Sequence, residues 1–377
     1  MTGVAVLGST GSIGAQTLDV IRSLPEHFHV VALAAGRNVD LLYRQVTEFR
    51  PRLVCADAEI DRALLADVQV APIVEVATHP DVDVVVVGTV GAAGLLPTLA
   101  ALRAGKAVAL ANKEALVMAG ELVVATAKAG GGQLRPVDSE HSAIWQCLWG
   151  EEPDGIARLL LTASGGALRD LPLAALADVT PAQALRHPTW SMGRKITVDS
   201  ATLFNKGLET MEAHWLFDVP MDRIEVVMHR ESIVHSLVEF LDGSIKAQLG
   251  TPSMMLPIQC ALSYPRRLPR PHDQRLDLGA LGSLRFASPD FDRYPCLSLA
   301  IEAGRKGQSY PAVAAAADEV AVERFLATEI RFTDIAAVIE QTLAAHDSVP
   351  AADLDTILAA DAWARSYARR VGGVAAI

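Results

Sequence analysis

Three acidic side chains stand where a hard cation can be gripped. Asp138 and Glu140 follow the strand-like stretch Gln133 to Val137, and Glu209 lies in the helix-compatible run Asn205-Lys206-Gly207-Leu208-Glu209. If the chain stays extended past Val137, side chains two apart share a face and the first two carboxylates converge. On a helix, Asn205 and Glu209 are four apart and Lys206 and Glu209 three apart, so one face presents an amide, an ammonium and a carboxylate. Carboxylates without a cysteine or multi-histidine cluster suit Mg²⁺ or Mn²⁺ better than zinc. The same patterns also describe a solvated loop and a surface ion pair, and spacing alone does not choose. His141, beside the motif, reads as a supporting histidine rather than a ligand.

A second group points to a nucleotide. Gly8-Ser9-Thr10-Gly11-Ser12-Ile13-Gly14 follows an apolar strand and opens a helix. Glycines there allow a tight turn and let backbone N–H groups approach a pyrophosphate at the helix N-terminus. The spacing is GxxGxxG, which an ordinary βα turn also satisfies. At the end of the second strand the chain reads Ala34-Ala35-Gly36-Arg37-Asn38. This stretch holds no acid to grip a ribose 2′-hydroxyl, and Arg37 can contact a 2′-phosphate, so NADPH is favoured over NADH.

The third group is His187-Pro188-Thr189-Trp190-Ser191-Met192-Gly193-Arg194-Lys195. Pro and Gly around a large aromatic, with His, Ser, Arg and Lys, suit a loop that closes over a phosphorylated substrate. A packed surface loop anchored by Trp190 is the competing reading.

Elements must hold these groups in place. Short apolar runs, Val4 to Leu7, Val30 to Leu33, Val82 to Val87 and Ala107 to Leu110, alternate with helix-compatible segments. That rhythm predicts βαβ units and a mostly parallel sheet. Further on, Leu159 to Leu161 reads as a strand leading into Ser164-Gly165-Gly166, and Ala201 to Phe217 as one helix. Strands are expected over Ile224 to Met228, Ile233 to Phe240 and Ile245 to Leu249, the last two joined through Asp242-Gly243. The Pro- and Arg-rich stretch Tyr264 to Pro271 reads as a linker. After about Asp290 an Ala-rich helical region follows, with a Thr333-Asp334 cap. The expected layout is α/β in three regions: 1–137, 138–263 and 290–377, with a linker over 264–289.

The bulk numbers agree. The chain has 377 residues, 51% hydrophobic and 20% charged, which is globular and too long for one core. A net charge of −11 argues against general affinity for nucleic acid or an anionic membrane. Four scattered cysteines without a CxxC pair suit a reduced, cytoplasmic protein. No apolar run is long enough for a membrane span, and the N-terminus carries no leader-like segment.

Taken together, these segments resemble the 1-deoxy-D-xylulose 5-phosphate reductoisomerase family over nearly the whole chain. The likeness rests on Gly8 to Gly14, Gly36-Arg37-Asn38, Ala111-Asn112-Lys113-Glu114, Pro136 to His141, Ser164-Gly165-Gly166 and the run HPTWSMGRKITVDSATLFNKGLE from His187 to Glu209. The resemblance implies a Rossmann-like N-terminal domain, a central α/β catalytic domain, a C-terminal helical domain and a homodimer. It assigns NADPH contacts to Thr10, Gly11, Ser12, Ile13, Gly36, Arg37, Asn38, Asn112, Glu114 and Gly193. Asp138, Glu140 and Glu209 match the metal-binding carboxylates, and with Lys113 they form the implied catalytic set. Lys113, Ser139, Glu140, Ser164, His187, Ser200, Asn205, Lys206 and Glu209 match the pocket for a small phosphorylated sugar. Ser164, Ser200, Asn205 and Lys206 fall around the phosphate. The implied reaction is rearrangement and NADPH-dependent reduction to 2-C-methyl-D-erythritol 4-phosphate, in the non-mevalonate route to isoprenoid precursors.

The chain departs from the family pattern in three places. Arg37 replaces a frequent Lys, and Thr251 to Pro257 lacks the usual Asp and Arg after Thr-Pro. Ala315-Ala316-Ala317-Asp318-Glu319 replaces a typical Asn-Ala-Ala-Asn-Glu run. Two other functions stay in play at this point. Another NADP-dependent dehydrogenase on the same fold needs no carboxylate triad, and a non-catalytic NADPH sensor need not keep Lys113 with the triad and the phosphate-site residues.

Overall fold

The computed structural model describes residues 1–65, 67–190, 192–269, 275–351 and 353–371. Ser191 of the Trp190 segment and Arg270-Pro271 of the expected linker lie outside the described residues. Two compact units are present. The first comprises 1–115, 121–142 and 253–273, and the second 116–120, 143–252 and 274–377.

In the first unit the apolar runs form parallel strands: β1 (Thr2–Leu7), β2 (Phe28–Ala35), β3 (Leu53–Ala56), β4 (Gln69–Val70), β5 (Val84–Val87), β6 (Ala107–Leu110) and β7 (Gln133–Pro136). Their order is β4-β3-β2-β1-β5-β6-β7, all pairs parallel. Val84 to Val87 are all buried, as expected for a β-branched run covered on both faces. The order reverses between β1 and β5, where open α/β sheets place ligands at the strands' carboxyl ends. Strands β3 and β4 were not foreseen; they are short, and β4 has only two residues.

The second unit holds a four-stranded sheet, β11-β10-β8-β9, from β8 (Ile156–Ala163), β9 (Ile224–Met228), β10 (Val234–Phe240) and β11 (Ile245–Leu249). β8 and β9 are parallel and the other pairs antiparallel. The β10–β11 turn uses Gly243 at φ +84°, while Asp242 accepts from the Ser244 N–H. A helical core is centred on the Ala-rich helix Tyr310–Leu326, with Asp334–Ala344 and Leu354–Ala368 against it. Small side chains let these helices approach closely.

The structure corrects four expectations. Ala201 to Phe217 is not one helix: Arg194–Thr202 and Phe204–Phe217 are separated by Leu203, buried at φ +58°. The chain does not stay extended past Val137, because a helix begins at Ser139 and the Asp138 carbonyl accepts from Ser142 N–H at 2.8 Å. Thr333 is the N-cap residue of its helix but its side chain makes no cap bond, and Asp334 accepts from Arg331 N–H instead. Finally, three consecutive regions do not describe the packing, since 253–273 returns to the first unit. There the helix Met255–Ser263 buries Ile258 and Leu262 in the β-sheet core, and Arg135 donates to the Ala261 carbonyl. Among the described residues no helix is long and apolar enough to cross a membrane.

Candidate active site

The first unit carries the nucleotide elements. Gly8 follows β1 at φ +82°, and a Cβ on Gly14 would sit 2.2 Å from the Gly8 carbonyl oxygen, so the turn excludes a side chain at both. Gly11 N–H donates to Gly8 carbonyl at 2.9 Å, and Gly11 is the N-cap of helix Ser12–Ser23 with no side-chain cap bond. The helix therefore opens with backbone N–H groups presented to whatever approaches it. Thr10 and Ile13 are half-buried, while Gly11 and Ser12 are exposed. Gln45, which the sequence did not single out, fixes this turn: Ser9 Oγ donates to its Oε1 at 2.8 Å and its Nε2 donates back to Ser9 carbonyl at 2.9 Å.

Gly36 ends the second strand region, and Arg37 is exposed. Asn38 caps the helix Val39–Phe49, accepting from Leu41 N–H at 3.2 Å. One carboxylate nearby was invisible to local reading. Asp57, just past β3, would lie 3.6 Å from a Cβ at Gly36.

Asn112 is buried and fully employed. It donates to the Thr89 and Gly91 carbonyls at 2.8 and 2.9 Å and accepts from Ala115 N–H, capping helix Lys113–Gly130. Its side chain thus shapes the loop after β5, and the half-buried Glu114 sits in the helix's first turn.

Lys113 Nζ lies 2.6 Å from Asp138 Oδ2, with both side chains largely buried. Asp138 Oδ1 accepts from Ser139 N–H at 2.9 Å, and Ser139 Oγ donates to Glu140 Oε2. Oxygens of Asp138 and Glu140 lie within 4.8 Å of each other, brought together by a strand end and a helix's first turn rather than by an extended chain. His141 is fully buried.

The second unit carries the rest. Glu209 is 1% exposed on helix Phe204–Phe217, where Asn205 Nδ2 and Lys206 Nζ donate to its two oxygens at 2.5 Å each. The surface ion-pair reading of Lys206 and Glu209 therefore fails, because both are buried. Ser164 follows β8 and meets His187, Oγ to Nε2 at 3.2 Å. Gly193 is the exposed N-cap of helix Arg194–Thr202, which carries Ser200 near its end. Trp190 is half-buried.

Lys195 was quoted in the sequence reading without a role. Its Nζ reaches Asp199 at 2.6 Å and Asp318 at 2.7 Å, joining helix Arg194–Thr202 to helix Tyr310–Leu326. The Lys195–Asp199 spacing of four was a signal, and Asp318 stands in the Ala315 to Glu319 run already noted as a departure from the family pattern.

Comparison with known proteins identifies the arrangement. Residues 4–120 match 1-deoxy-D-xylulose 5-phosphate reductoisomerase, 134–217 the C-terminal domain of that family, and 249–367 a DXP reductoisomerase C-terminal domain. The chain is 53% identical to the 1-deoxy-D-xylulose 5-phosphate reductoisomerase of Geobacillus kaustophilus, covering 97% of this chain and 98% of that protein. It is 52% identical to the enzyme of that name from Gloeobacter violaceus, over 98% of this chain and 97% of that protein. Among solved structures, the reductoisomerase of Zymomonas mobilis in complex with NADPH superposes with a TM-score of 0.90 at 41% identity, covering 98% of each chain. A DOX-P reductoisomerase in complex with NADPH, fosmidomycin and magnesium gives a TM-score of 0.91 at 43% identity, over 98% of this chain and 97% of that one. With matches of this identity over nearly its whole length, the chain belongs to the 1-deoxy-D-xylulose 5-phosphate reductoisomerase family.

Proposed function

We propose that this chain converts 1-deoxy-D-xylulose 5-phosphate to 2-C-methyl-D-erythritol 4-phosphate with NADPH and a divalent cation. The observation that carries the reading is the near-full-length likeness to enzymes of that name. The donor sets fit both groups. The Gly8–Gly14 turn opens helix Ser12–Ser23 with no side-chain cap at Gly11, so its first backbone N–H groups suit a pyrophosphate. Asp138 and Glu140, with Glu209, supply the hard oxygen donors that Mg²⁺ or Mn²⁺ prefers.

When bound, the cation polarises the substrate carbonyl and the nicotinamide supplies hydride. The chain's own residues do the remaining work. Lys113, held against Asp138, assists proton transfer or carbonyl polarisation at the reacting oxygens. Ser164, Ser200, Asn205 and Lys206 bind the phosphate and orient the sugar, so that the reacting carbons are held near their transition-state geometry. His187 supports the phosphate site through Ser164, and Trp190 excludes water. Thr10, Gly11, Ser12, Ile13, Gly36, Asn112, Glu114 and Gly193 seat the dinucleotide, with Arg37 and Asn38 at the 2′-phosphate end.

The test is NADPH oxidation on adding deoxyxylulose phosphate with Mg²⁺, repeated with a chelator. Metal-dependent turnover is expected. Turnover untouched by chelation would favour an ordinary NADP-dependent dehydrogenase, and tight NADPH binding without turnover a sensor. Arg37→Ala should raise the NADPH KM about tenfold, roughly 1.4 kcal/mol of contact, while the NADH KM stays within about twofold. Equal changes would take the 2′-phosphate away from Arg37. The assembly proposed is a cytoplasmic homodimer. The exposed edge strand β11 is a ready pairing surface, and sedimentation velocity reads the mass.

A further inference from the structure

Arg169 lies just past the Ser164-Gly165-Gly166 loop and no reading above gives it a role. Its Nη1 donates to the Ser164 carbonyl at 2.8 Å and to the Arg230 carbonyl at 3.2 Å. Tyr294 Oη donates to the Gly165 carbonyl at 3.1 Å. Gly165 and Gly166 both have positive φ, and a Cβ on Gly166 would come within 2.4 Å of the Ser200 carbonyl oxygen. The loop is therefore pinned from below by Arg169 and Tyr294 and laid against the helix that carries Ser200.

His187 approaches the same serine. Its Nδ1 accepts backbone N–H bonds from Thr189 at 3.1 Å and Trp190 at 2.9 Å. A ring nitrogen that accepts carries the lone pair, so a neutral His187 keeps its proton on Nε2. Nε2 is 3.2 Å from Ser164 Oγ, and the bond therefore runs from Nε2–H to Oγ. Gly166 N–H donates to the same oxygen at 3.3 Å. Two donors use both lone pairs of a hydroxyl, which leaves the Ser164 proton to be donated to a further group. Such a hydroxyl suits an anion and has no lone pair left for a third donor.

The charge around the loop agrees. Arg169, Arg230 and Arg293 face it, against Asp170 and Asp290. Burial, helped by the Arg169 charge, pushes His187 down to about 4. The ring stays neutral at physiological pH and the tautomer holds.

We propose that Arg169 is a positioning residue which, through the Ser164 carbonyl and through neutral His187, fixes the Ser164 hydroxyl as a donor to the substrate's phosphate. The inference rests on the phosphorylated-sugar reading above for the identity of the anion. The hydrogen-bond geometry that carries it requires neither cofactor nor turnover.

The experiment reads the full chain by ¹⁵N-histidine NMR, with His187→Gln to assign the ring, and measures inorganic phosphate binding by calorimetry. In the wild type, His187 should be the Nε2–H tautomer and should not titrate between pH 5.5 and 8. Arg169→Gln should weaken phosphate binding at least tenfold and move the His187 titration upward, with burial still holding it below the ordinary imidazole value. The substrate KM should rise far more than kcat falls, as for a contact made equally in ground and transition states. Arg169→Lys should restore the low His187 titration and recover only part of the affinity, since it keeps the charge and loses the fork. An Nδ1–H tautomer in the wild type, ordinary titration near 6.5, or unchanged phosphate affinity in Arg169→Gln would overturn the proposal. Should Arg169→Gln not fold, Ser164→Ala decides: a tenfold loss of phosphate affinity with the tautomer kept supports it, and no loss overturns it. Failure of the reductoisomerase assay with these results intact would fall on the proposed reaction alone.

Discussion

Two lysine–carboxylate clusters on neighbouring helices use the same chemistry for different ends. On helix Phe204–Phe217, Lys206 and Asn205 both donate to the single carboxylate of Glu209. On helix Arg194–Thr202, the single ammonium of Lys195 faces two carboxylates, Asp199 and Asp318, both all but inaccessible. Burial pushes Asp199 well above the usual carboxylate range, and the Asp318 charge adds to it. Asp318 is also raised by burial, with Lys195 opposing. Two buried anions sharing one cation retain a proton between them, and the pair titrates as a unit. The nearby Cys296 thiol is pushed up as well, first by burial and then by these carboxylates. Glu319, next in sequence, is turned to Arg365 at 2.7 Å. Charge stoichiometry, rather than residue type, separates the Glu209 cluster from the helix-to-helix tie through Lys195.

The sharpest way to break this contrast is Glu209→Gln. Turnover per folded molecule should fall at least a thousandfold, about 4 kcal/mol of transition-state stabilisation, because an amide is a poor ligand for a hard cation. Steady-state assays over a magnesium series check it, alongside a thermal scan, since removing a carboxylate from buried Lys206 should also cost about 3 kcal/mol of stability. Near-wild-type turnover would make Glu209 as structural as Asp199.

Lys195→Met attacks the other cluster and should act on stability first. Two buried carboxylates lose their cation, at a cost of about 3 kcal/mol, the low end for such pairs because Lys195 is partly exposed. Urea unfolding measures it, and a loss below about 0.5 kcal/mol would show the pair to be self-sufficient.

The mildest change, Asp318→Asn, sharpens the comparison by giving the second cluster one carboxylate per lysine. The native pair holds its proton above the pH at which unfolded Asp releases it, near 4. The native state therefore binds more protons than the unfolded chain over a window opening near pH 4 and closing at the raised native value. Stability falls as pH rises through that window. The amide removes this slope, so the variant should match the wild type near pH 4 and exceed it by about 1 kcal/mol near pH 8. Parallel stability curves for the two proteins would mean that no proton is retained.

Local physics settles much of this molecule in advance. A β-branched run such as Val84 to Val87 has one good use, a strand covered on both faces. A Gly-rich turn after β1 has few, and Asp242-Gly243 closes its hairpin through its own backbone and side chain. The chemistry-bearing segments were legible for the same reason: their residue types and short spacings are local properties. What the sequence left open depended on partners far along the chain. Leu203 breaks the Ala201 to Phe217 run because its buried side chain holds the left-handed backbone that splits the helix. Helix Met255–Ser263 returns to the first unit because Ile258 and Leu262 find a core there. The Asp57 carboxylate beside Gly36, Gln45 clamped to Ser9, Asp318 opposite Lys195 and Arg169 beneath Ser164 share one cause. Hydrogen-bond donors and buried charges must be matched in space, and only the folded chain decides which distant group supplies the match.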